Sequence, residues 1–333
     1  MKILVTGGLG FVGCNFVRQL LEGQKESYVI NLDSMSYGSN LLNVGDIAHS
    51  VKYRFVKGDI TSPSIVRRLI SEVDAIVNVA AETHVDRSIS SAASFVKSNV
   101  MGVYTILEGL RQAGRRIPFV QVGTDEEYGE IEKGFFAESD PLTPSSPYAA
   151  TKASASLLVL AYARTYGLDA KVTRCTNNYG PYQFPEKLIP KSIIRAHRGL
   201  KVPLYGTGRN TRDWIHVEDH CEALGLVMRE GRPGNIYNVA GGKELENVQL
   251  VKMILNIMGK PESLIEFVED RPGHDRRYSL DDRKIRKELG WTPKHEFENA
   301  LQETVKWYLK NEKWWRHIAD KRTLSPAPWK LRW

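Results

Sequence analysis

A tyrosine and a lysine stand four positions apart in the segment Tyr148-Ala-Ala-Thr-Lys152. Residues i and i+4 share one face of a helix, so the phenol and the ammonium group are expected to lie side by side. A phenol with a pKa of about 10 is a poor base at neutral pH, but a neighbouring positive charge stabilises its phenolate. The pair therefore predicts a proton-transfer site in which Lys152 tunes the acidity of Tyr148.

A hydroxyl and two carboxyl groups follow one another at Thr124-Asp125-Glu126, directly after an apolar run that begins at Phe119. Two neighbouring carboxyl groups in a dry site separate in pKa, which leaves one as an acid and the other as a base. That is more than a simple alcohol oxidation needs, whereas an elimination needs both. An alternative stays open, in which the two acids only solvate the end of a strand.

Glycines are concentrated near the N-terminus, where Gly7, Gly8, Gly10 and Gly13 satisfy both GxGxxG and GxxGxxG spacing. Such a turn brings the backbone close to a pyrophosphate, and the following helix N-terminus stabilises its charge. Asp33 lies 20 positions after Gly13, where a carboxylate accepts hydrogen bonds from the adenosine ribose. Residues 34–42 contain no Arg or Lys to receive a 2′-phosphate, so the pattern favours NAD over NADP.

Two other features have competing interpretations. Asp59, in the segment Gly-Asp-Ile, meets the adenine edge or caps a helix, and the pattern does not distinguish these roles. The segment 216–220 places two histidines at i and i+4, a spacing that can share a metal ion. Glu218 and Asp219 are instead typical of the first turn of a helix, which we expect to open at Asp219 without a metal.

Short apolar runs alternate with amphipathic stretches through the first half of the chain, and this alternation predicts a doubly wound parallel sheet of the Rossmann type. The predicted strands are Ile3–Thr6, Tyr28–Leu32, Tyr53–Val56, Ala75–Val79, Phe119–Val122, Lys171–Thr173 and Ile236–Val239. The predicted helices are Phe11–Leu21, Ser64–Ser71, Ser94–Gln112, Tyr148–Tyr166, Leu188–Arg198, Asp219–Arg229, Asn247–Met258 and Phe297–Lys310. After Thr176 this regular alternation of apolar runs and amphipathic stretches ends. We therefore expect an NAD-binding domain over 1–176 and a smaller mixed α/β lobe over 177–333, with some chain crossing back to the sheet.

Composition narrows the class of protein. The 333 residues carry a net charge of +7 that is scattered along the chain, which fits an anionic small molecule better than nucleic acid. No apolar run reaches the roughly 18–20 residues of a membrane span. The cysteines Cys14, Cys175 and Cys221 form no disulfide or zinc pattern, so we expect a cytoplasmic protein with reduced thiols. Four tryptophans after Asn311, namely Trp314, Trp315, Trp329 and Trp333, predict a docked, partly buried tail.

Seven segments together resemble the extended short-chain dehydrogenase/reductases, in the order of that family, from Met1 to about Leu309. They are GGLGFVG (7–13), AAETHVDRSI (80–89), GTDEEYG (123–129), YAATK (148–152), NNYGPYQFPEKLIP (177–190), RDWIHVEDH (212–220) and RPGHDRRYSLD (271–281). The Thr-Asp-Glu triplet makes the chain similar to the nucleotide-sugar 4,6-dehydratases of that family. The resemblance implies a hydro-lyase that uses NAD to convert dTDP-D-glucose to dTDP-4-keto-6-deoxy-D-glucose and water.

By the same resemblance, the reaction is oxidation at C4, elimination across C5 and C6, and return of the hydride to C6. Tyr148 accepts the C4 hydroxyl proton, Lys152 tunes Tyr148 and holds the nicotinamide ribose, and Thr124 assists at the 4-hydroxyl. Glu126 removes the C5 proton, and Asp125 protonates the departing C6 hydroxyl.

The resemblance also implies two sets of binding residues. Contacts to NAD are expected from Gly7, Gly10, Phe11, Val12, Gly13, Asp33, Ser34, Met35, Ser36, Asp59, Ile60, Val79, Ala80, Ala81, Glu82, Thr83, Ser98, Tyr148, Lys152 and Asn178. Contacts to the nucleotide sugar are expected from Thr83, Thr124, Asn177, Lys187, Leu188, Pro203, Leu204, Tyr205, Arg212, Asn247, Arg271, His274 and Asp275. A homodimer through the two helices 94–112 and 148–166 is also expected.

The chain departs from the family pattern in few places. Gly123 stands where a serine is usual, and Glu127 stands where a small apolar residue is usual; we expect the Glu127 side chain to point to solvent. The segment 241–247 is one residue short, which leaves the role of Asn247 open. Alternatives are a nucleotide-sugar 4-epimerase or decarboxylase, which has no need of the Asp125–Glu126 pair, and a non-enzymatic NAD-bound sensor, which has no need of a tuned phenol.

Overall fold

The computed structural model describes residues 1–23 and 27–332. Its strands are β1 (Lys2–Thr6), β2 (Tyr28–Asp33), β3 (Tyr53–Lys57), β4 (Ala75–Asn78), β5 (Phe119–Thr124), β6 (Ala170–Cys175), β7 (Asn177–Tyr179), β8 (Val202–Tyr205), β9 (Thr211–His216), β10 (Ile236–Val239), β11 (Glu244–Glu246) and β12 (Ile265–Val268). Its α-helices are α1 (Phe11–Gly23), α2 (Pro63–Glu72), α3 (Val85–Ser90), α4 (Ala93–Phe95), α5 (Gly102–Gln112), α6 (Pro147–Tyr166), α7 (Leu188–His197), α8 (Val217–Glu230), α9 (Asn247–Ile257), α10 (Arg283–Leu289), α11 (Phe297–Lys310) and α12 (Glu312–Trp315).

Seven parallel strands form the main sheet in the order β10-β6-β5-β4-β1-β2-β3. Helices α1 and α8 cover one face through a core that includes Phe16 and Leu224. Helices α2, α5 and α6 cover the other face through Leu69, Ile106 and Val159. The predicted doubly wound sheet is confirmed. Its strand order reverses between β1 and β4, where the carboxyl ends of parallel strands leave a crevice.

The second half of the chain builds a smaller mixed lobe. Two short sheets, β11-β9-β7 and β12-β8, lie beside helices α7, α9 and α11, whose core includes Ile193, Leu250 and Leu301. Strand β10 leaves this lobe and pairs with β6 at the edge of the main sheet. The division of the chain at residue 176 stays a prediction.

Two predicted helices differ from those observed. The helix predicted over 94–112 begins at Ala93 and is interrupted by a π-helical turn over Val96–Met101. This turn directs Asn99 inward, where its side-chain amide bonds the backbone of Glu82. The helix predicted to open at Asp219 begins at Val217, because the ring of His216 accepts a hydrogen bond from the amide of Glu218 and caps the helix earlier.

The tail docks on the body of the protein. Trp314, Trp315 and Trp329 are buried, and the indole of Trp314 donates a hydrogen bond to Asn43 at 2.7 Å. Trp333 lies outside the described residues. No helix within residues 1–23 and 27–332 combines the length and the apolar character that crossing a bilayer requires.

Candidate active site

A cavity of about 400 Å³ opens at the carboxyl ends of the main-sheet strands. It extends from the glycine turn after β1, past the ends of β2, β4 and β5, to α6 and the loop before α7. A second cavity of about 170 Å³ continues from it into the smaller lobe and shares His84, Glu126, Asn177 and Lys187 with the first. Together they form one crevice at the switch point of the sheet, the place where α/β sheets of this kind bind ligands.

The glycine turn leaves no room for side chains. Gly7 has φ +72, and a Cβ there would lie 2.7 Å from the backbone of Ala80. A Cβ on Gly13 would lie 2.2 Å from the carbonyl oxygen of Gly7. Glycine at these positions lets α1 start close to β1 and aim its N-terminus into the cavity, as a pyrophosphate site requires.

Asp33 ends β2 beside the glycine turn. Its two carboxylate oxygens accept hydrogen bonds from the amides of Leu9 at 3.0 Å and Met35 at 2.7 Å. Burial raises the pKa of Asp33, and the two amide hydrogen bonds oppose that rise. The carboxylate is thereby held at the wall of the cavity where the sequence predicts the adenosine ribose.

Tyr148 and Lys152 occupy successive turns of α6 and both line the cavity. The helix begins with Ser146, whose hydroxyl caps the amide of Ala149 at 3.1 Å, and with a proline at its first position. The ammonium of Lys152 donates to the carbonyl of Val122 in β5. Burial first, and Glu126 second, raise the pKa of Tyr148 well above its usual value, while burial lowers the pKa of Lys152.

The carboxyl groups of Asp125 and Glu126 lie in a single 3₁₀ turn at the end of β5. Asp125 Oδ1 accepts the hydroxyl of Thr124 and the amide of Glu126, both at 3.0 Å. Its other oxygen, Oδ2, is buried and has no hydrogen-bond partner among the described residues. Burial, with the neighbouring Glu126 charge, raises the pKa of Asp125 well above its usual range. Burial also raises the pKa of Glu126, but Arg271 and Arg212 oppose it.

Buried charges line the second cavity. Asp86 accepts Arg271 and the hydroxyl of Tyr205, each at 2.8 Å. Although burial alone would raise the pKa of Asp86, the charge and hydrogen bonds of Arg271 bring it below its usual value. The ammonium of Lys187 donates to the carbonyl of Thr83 at 2.7 Å, which ties the two cavities together.

Arg212 lines the second cavity and is held by contacts with residues 275–278. Its guanidinium donates to the carbonyl of Asp275 at 2.8 Å and lies 4.1 Å from the centre of the Tyr278 ring. The side-chain carbonyl oxygens of Asn177 and Asn247 are buried, and none of the described residues bonds them. Asn247 thus lines the cavity despite the shortened segment before it.

Most residues that the sequence predicts for the site line one of the two cavities. Met35 is one exception: it has φ +61 and an exposed side chain, outside the lining. Asp275 is the other, because its backbone carbonyl faces Arg212 and Asn210 while the residue itself lies behind the lining. Asp59 lines the first cavity, as the adenine role requires, whereas its carboxylate accepts the amide of Thr61 at 2.9 Å, before α2 begins, and does not cap that helix.

The expectation that Glu127 points to solvent is wrong. Glu127 is fully buried; its carboxylate bonds the guanidinium of Arg174 at 2.7 Å and the amide of Thr124 at 3.1 Å. The arginine stands 47 positions away on β6, and the sequence offered no signal that would bring the two together.

Sequence reasoning missed several charged or polar residues of the second cavity. Asp86 lies in a segment that carries the family resemblance but received no role. Glu186 directly precedes Lys187 and Lys191 lies four positions after it, and neither received a role. Glu186 accepts the hydroxyl of Tyr37 at 2.6 Å and lies beside His84, whose pKa is lowered by burial and by Lys187. Spacing alone could not have identified these residues, because their partners come from distant segments.

The two histidines of segment 216–220 do not face each other. His220 is buried and bonds Asn178 at 2.9 Å. His216 instead stacks on His295, with ring centres 4.1 Å apart, and one ligand atom from each of His216, Glu218 and His295 lies within 4.8 Å of the others. Both ring nitrogens of His295 face carboxylates, Asp219 at 2.9 Å and Glu218 at 3.2 Å. This arrangement is that of an imidazolium ion pair, and the absence of a metal stays a prediction.

The sheet, the glycine turn and the Tyr148–Lys152 pair define an extended short-chain dehydrogenase/reductase, the class that the motifs resemble. Within that class, the model of the family described as GDP-mannose 4,6 dehydratase matches residues 4–304. The chain belongs to this family.

Known relatives agree with this assignment. The chain is 50% identical to a dTDP-glucose 4,6-dehydratase of Streptomyces niveus, over 98% of this chain and 99% of that protein. A dTDP-glucose 4,6-dehydratase of Streptomyces venezuelae, solved with NAD bound, is 48% identical with a TM-score of 0.93, over 96% of this chain and all of that one. A UDP-glucose 4-epimerase of Thermotoga maritima is less similar, at 31% identity and a TM-score of 0.85, over 94% of this chain and 100% of that one.

Proposed function

We propose that the protein is an NAD-dependent hydro-lyase that converts dTDP-D-glucose to dTDP-4-keto-6-deoxy-D-glucose and water. The observation that carries this proposal is the 3₁₀ turn Asp125–Glu127 beside Tyr148 and Lys152 in one cavity. An epimerase needs only the tyrosine and lysine. The names and identities of the relatives, 44–50% for the dTDP-glucose 4,6-dehydratases, support the same choice.

The first cavity fits NAD. The glycine turn and the N-terminus of α1 would hold the pyrophosphate, Asp33 would hold the adenosine ribose, and Lys152 would hold the nicotinamide ribose. When bound, NAD supplies the hydride acceptor for C4 and positive charge beside Tyr148. That charge is needed, because burial keeps the Tyr148 phenol protonated without it.

Tyr148 takes the proton of the C4 hydroxyl as that carbon is oxidised. Lys152 lies one turn along α6, so its ammonium can stabilise the phenolate that forms. Thr124 lies at the end of β5 in the same cavity and supplies a hydroxyl to the substrate oxygen.

Asp125 and Glu126 divide the elimination between them. The ketone at C4 acidifies the C5 proton, which Glu126 removes because nearby Arg271 and Arg212 favour its ionised form. Asp125, whose pKa burial and the Glu126 charge raise well above its usual value, is the carboxyl group that carries the proton and delivers it to the departing C6 hydroxyl. Its buried oxygen Oδ2, left unbonded by the residues described, is the atom available for that proton. Water leaves, and Glu126 returns a proton to C5 as the hydride reaches C6.

The second cavity fits the nucleoside diphosphate part of the substrate. Arg212 and Arg271 supply guanidinium groups for the phosphates, and the Tyr205 ring offers a face for the base. Asn177 and Asn247 present buried carbonyl oxygens that still lack a donor within the described chain, as expected for contacts that a ligand completes.

We further propose that the protein is a cytoplasmic homodimer. Helices α5 and α6 lie side by side and expose Tyr104, Leu157 and Tyr166, and the π-helical turn before α5 exposes Met101. A second copy of this face would cover them. The three cysteines are free thiols, which fits a reducing compartment. Light scattering coupled to size exclusion tests the dimer; a monomer at micromolar concentration would overturn it.

Incubation with dTDP-glucose and, separately, with UDP-glucose tests the reaction. We expect a 4-keto product, detected by its alkaline absorbance, together with loss of one water from dTDP-glucose. Equal conversion of UDP-glucose would retain the reaction but reject the choice of base. Formation of the galactose isomer without a change of mass would establish an epimerase and overturn the proposal.

A further inference from the structure

We propose that Glu127 is a positioning residue for the elimination: its buried carboxylate, paired with Arg174, holds the turn that carries Asp125 and Glu126. This inference rests on the proposed function of that turn. Glu127 contacts neither cavity, so any effect on catalysis must pass through its neighbours.

The contacts of Glu127 fix both ends of the turn. Oε1 accepts the amide of Thr124 at 3.1 Å, and the reciprocal bonds between Thr124 and Glu127 form a capping box around the two catalytic carboxyl groups. Oε2 accepts Nε of Arg174 at 2.7 Å. Asp125 and Glu126 therefore lie between two residues that are tied to each other and to the neighbouring strand.

Arg174 supplies a rigid anchor for this carboxylate. It lies on β6 directly opposite Gly123 of β5, is 1% exposed, and places its guanidinium 4.5 Å from the centre of the Tyr128 ring. Burial alone would lower the pKa of Arg174, but the Glu127 charge holds it above its usual value. An ion pair so fully removed from water is costly to break, so the turn is held in one geometry.

The neighbouring glycine makes this arrangement possible. A Cβ on Gly123 would lie 2.5 Å from Glu127 Oε1 and 2.6 Å from the backbone oxygen of Thr173. The backbone oxygen cannot yield easily, so a larger residue at 123 would push the carboxylate away from the Thr124 amide. Gly123 and Glu127, the two substitutions in the 123–129 segment that depart from the family pattern, are thus one structural feature.

The expected effect is selective for the elimination. Tyr148 and Lys152 are carried by α6, whereas Asp125 and Glu126 are carried by the turn that Glu127 holds. Loss of the Glu127 contacts should misplace the acid and the base and leave the C4 proton acceptor in place. A displacement of about 1 Å in a catalytic group can reduce the rate about 100-fold.

The test compares Glu127→Gln and Glu127→Ala with Glu132→Gln, a matched change at an exposed position five residues further along the chain, in the loop after the turn. For each variant we would measure kcat and KM for dTDP-glucose, C4 oxidation from reduced-nicotinamide absorbance, and C5 hydrogen exchange from solvent deuterium. Thermal unfolding of the NAD-loaded protein reports on the fold. Glu127→Gln keeps an oxygen for the Thr124 amide and loses the charge, so it should be affected less than Glu127→Ala.

We expect kcat of Glu127→Ala to fall about 10- to 100-fold with KM nearly unchanged, and C5 exchange to slow more than C4 oxidation. Glu132→Gln should match the parent protein. If the alanine variant does not fold, the nearly isosteric glutamine variant provides the test. The same ratio of C5 exchange to C4 oxidation is then measured for it. Equal slowing of both steps, or unchanged kinetics with a lower unfolding temperature, would overturn the positioning role. A parent protein without dehydratase activity would instead reject the proposed function.

Discussion

The two ends of the crevice are held together differently. At the end with the glycine turn, which we call the glycine side, backbone groups make the contacts. At the end with Arg271, which we call the Arg271 side, buried charged side chains make them. Gly7, Gly13 and Asp33 act through tight turns and amide hydrogen bonds among residues close to one another in the β1–α1–β2 unit. Asp86 and Arg271, by contrast, meet across 185 positions. A backbone site tolerates a local change, but a network of buried charges transmits it, since every unpaired member is penalised by desolvation.

The largest effect is expected on kcat, from a substitution of Tyr148. Tyr148→Phe removes the proton acceptor and should lower kcat by about 10²–10⁴-fold with little change in KM. Production of the 4-keto sugar, followed by alkaline absorbance, measures it. Tyr162→Phe is the matched control on the same helix, because its hydroxyl only bonds Glu108 at the surface. Normal turnover by Tyr148→Phe would remove this residue from the mechanism.

Arg271→Met removes the cation that pairs with Asp86 on the Arg271 side. Among the residues that the structure describes, it leaves the buried Asp86 carboxylate with the Tyr205 hydroxyl as its one hydrogen-bond partner, so the free energy of unfolding should fall by about 3–5 kcal/mol. KM for the nucleotide sugar should rise as well, because a phosphate ligand is lost. Urea unfolding and steady-state kinetics measure the two effects. A rise in KM without a fall in the free energy of unfolding would show that the pairing of Asp86 with Arg271 does not contribute to stability.

Asp33→Asn is the corresponding change on the glycine side. The amide keeps one acceptor for the two neighbouring N–H groups and loses the charge toward the ribose, so the Kd for NAD should rise about tenfold. Calorimetric titration with NAD measures it. Stability in the absence of NAD should change little. Destabilisation as large as that of Arg271→Met would contradict the distinction between the two sides.

The smallest effect concerns the imidazolium outside the crevice. The carboxylates of Asp219 and Glu218 accept hydrogen bonds from the His295 ring and raise its pKa to about 9. Because this lies above the unfolded value of about 6.5, the stabilisation is complete below that pH and is lost as pH rises through 9. His216, with a pKa lowered to about 4 by burial and by His295, stays neutral over this range.

In urea unfolding, His295→Gln should therefore lower the midpoint near pH 6 and match the parent protein near pH 10. Turnover should be unaffected in the same variant, since His295 lies outside both cavities. A constant difference between the two proteins at both pH values would mean that His295 stabilises through packing and not through charge.

The same contrast explains what the sequence predicts well. The sheet, its helices and the dinucleotide turn follow from local patterns, and each predicted strand is found within two residues at either end. Glu127 was misjudged because its partner Arg174 is brought close only by the pairing of β5 with β6. The interruption of the helix predicted over 94–112 also escaped, because the π turn serves a contact between Asn99 and Glu82 that no periodicity records.

The residues of the second cavity show where the resemblance helped. Spacing does not connect Lys187, Arg212 and Arg271, and only the resemblance to a family placed them together. Their unassigned neighbour Asp86 balances Arg271, and Glu186 lies next to Lys187; this balance of charge becomes visible only when the chain is folded. Motifs therefore predict which groups react, while the fold shows how their charges are held.

Turnover of dTDP-glucose in deuterated water tests the central claim most directly, because it follows the carbon that only an elimination touches. We expect a product that has lost one water and carries one deuterium at C5, with Glu126→Gln retaining C4 oxidation but losing the C5 label. Dehydrated product from Glu126→Gln that still carries deuterium at C5 at the parent rate, or an isomer of unchanged mass from the parent protein, would contradict the assignment of Glu126 as the base.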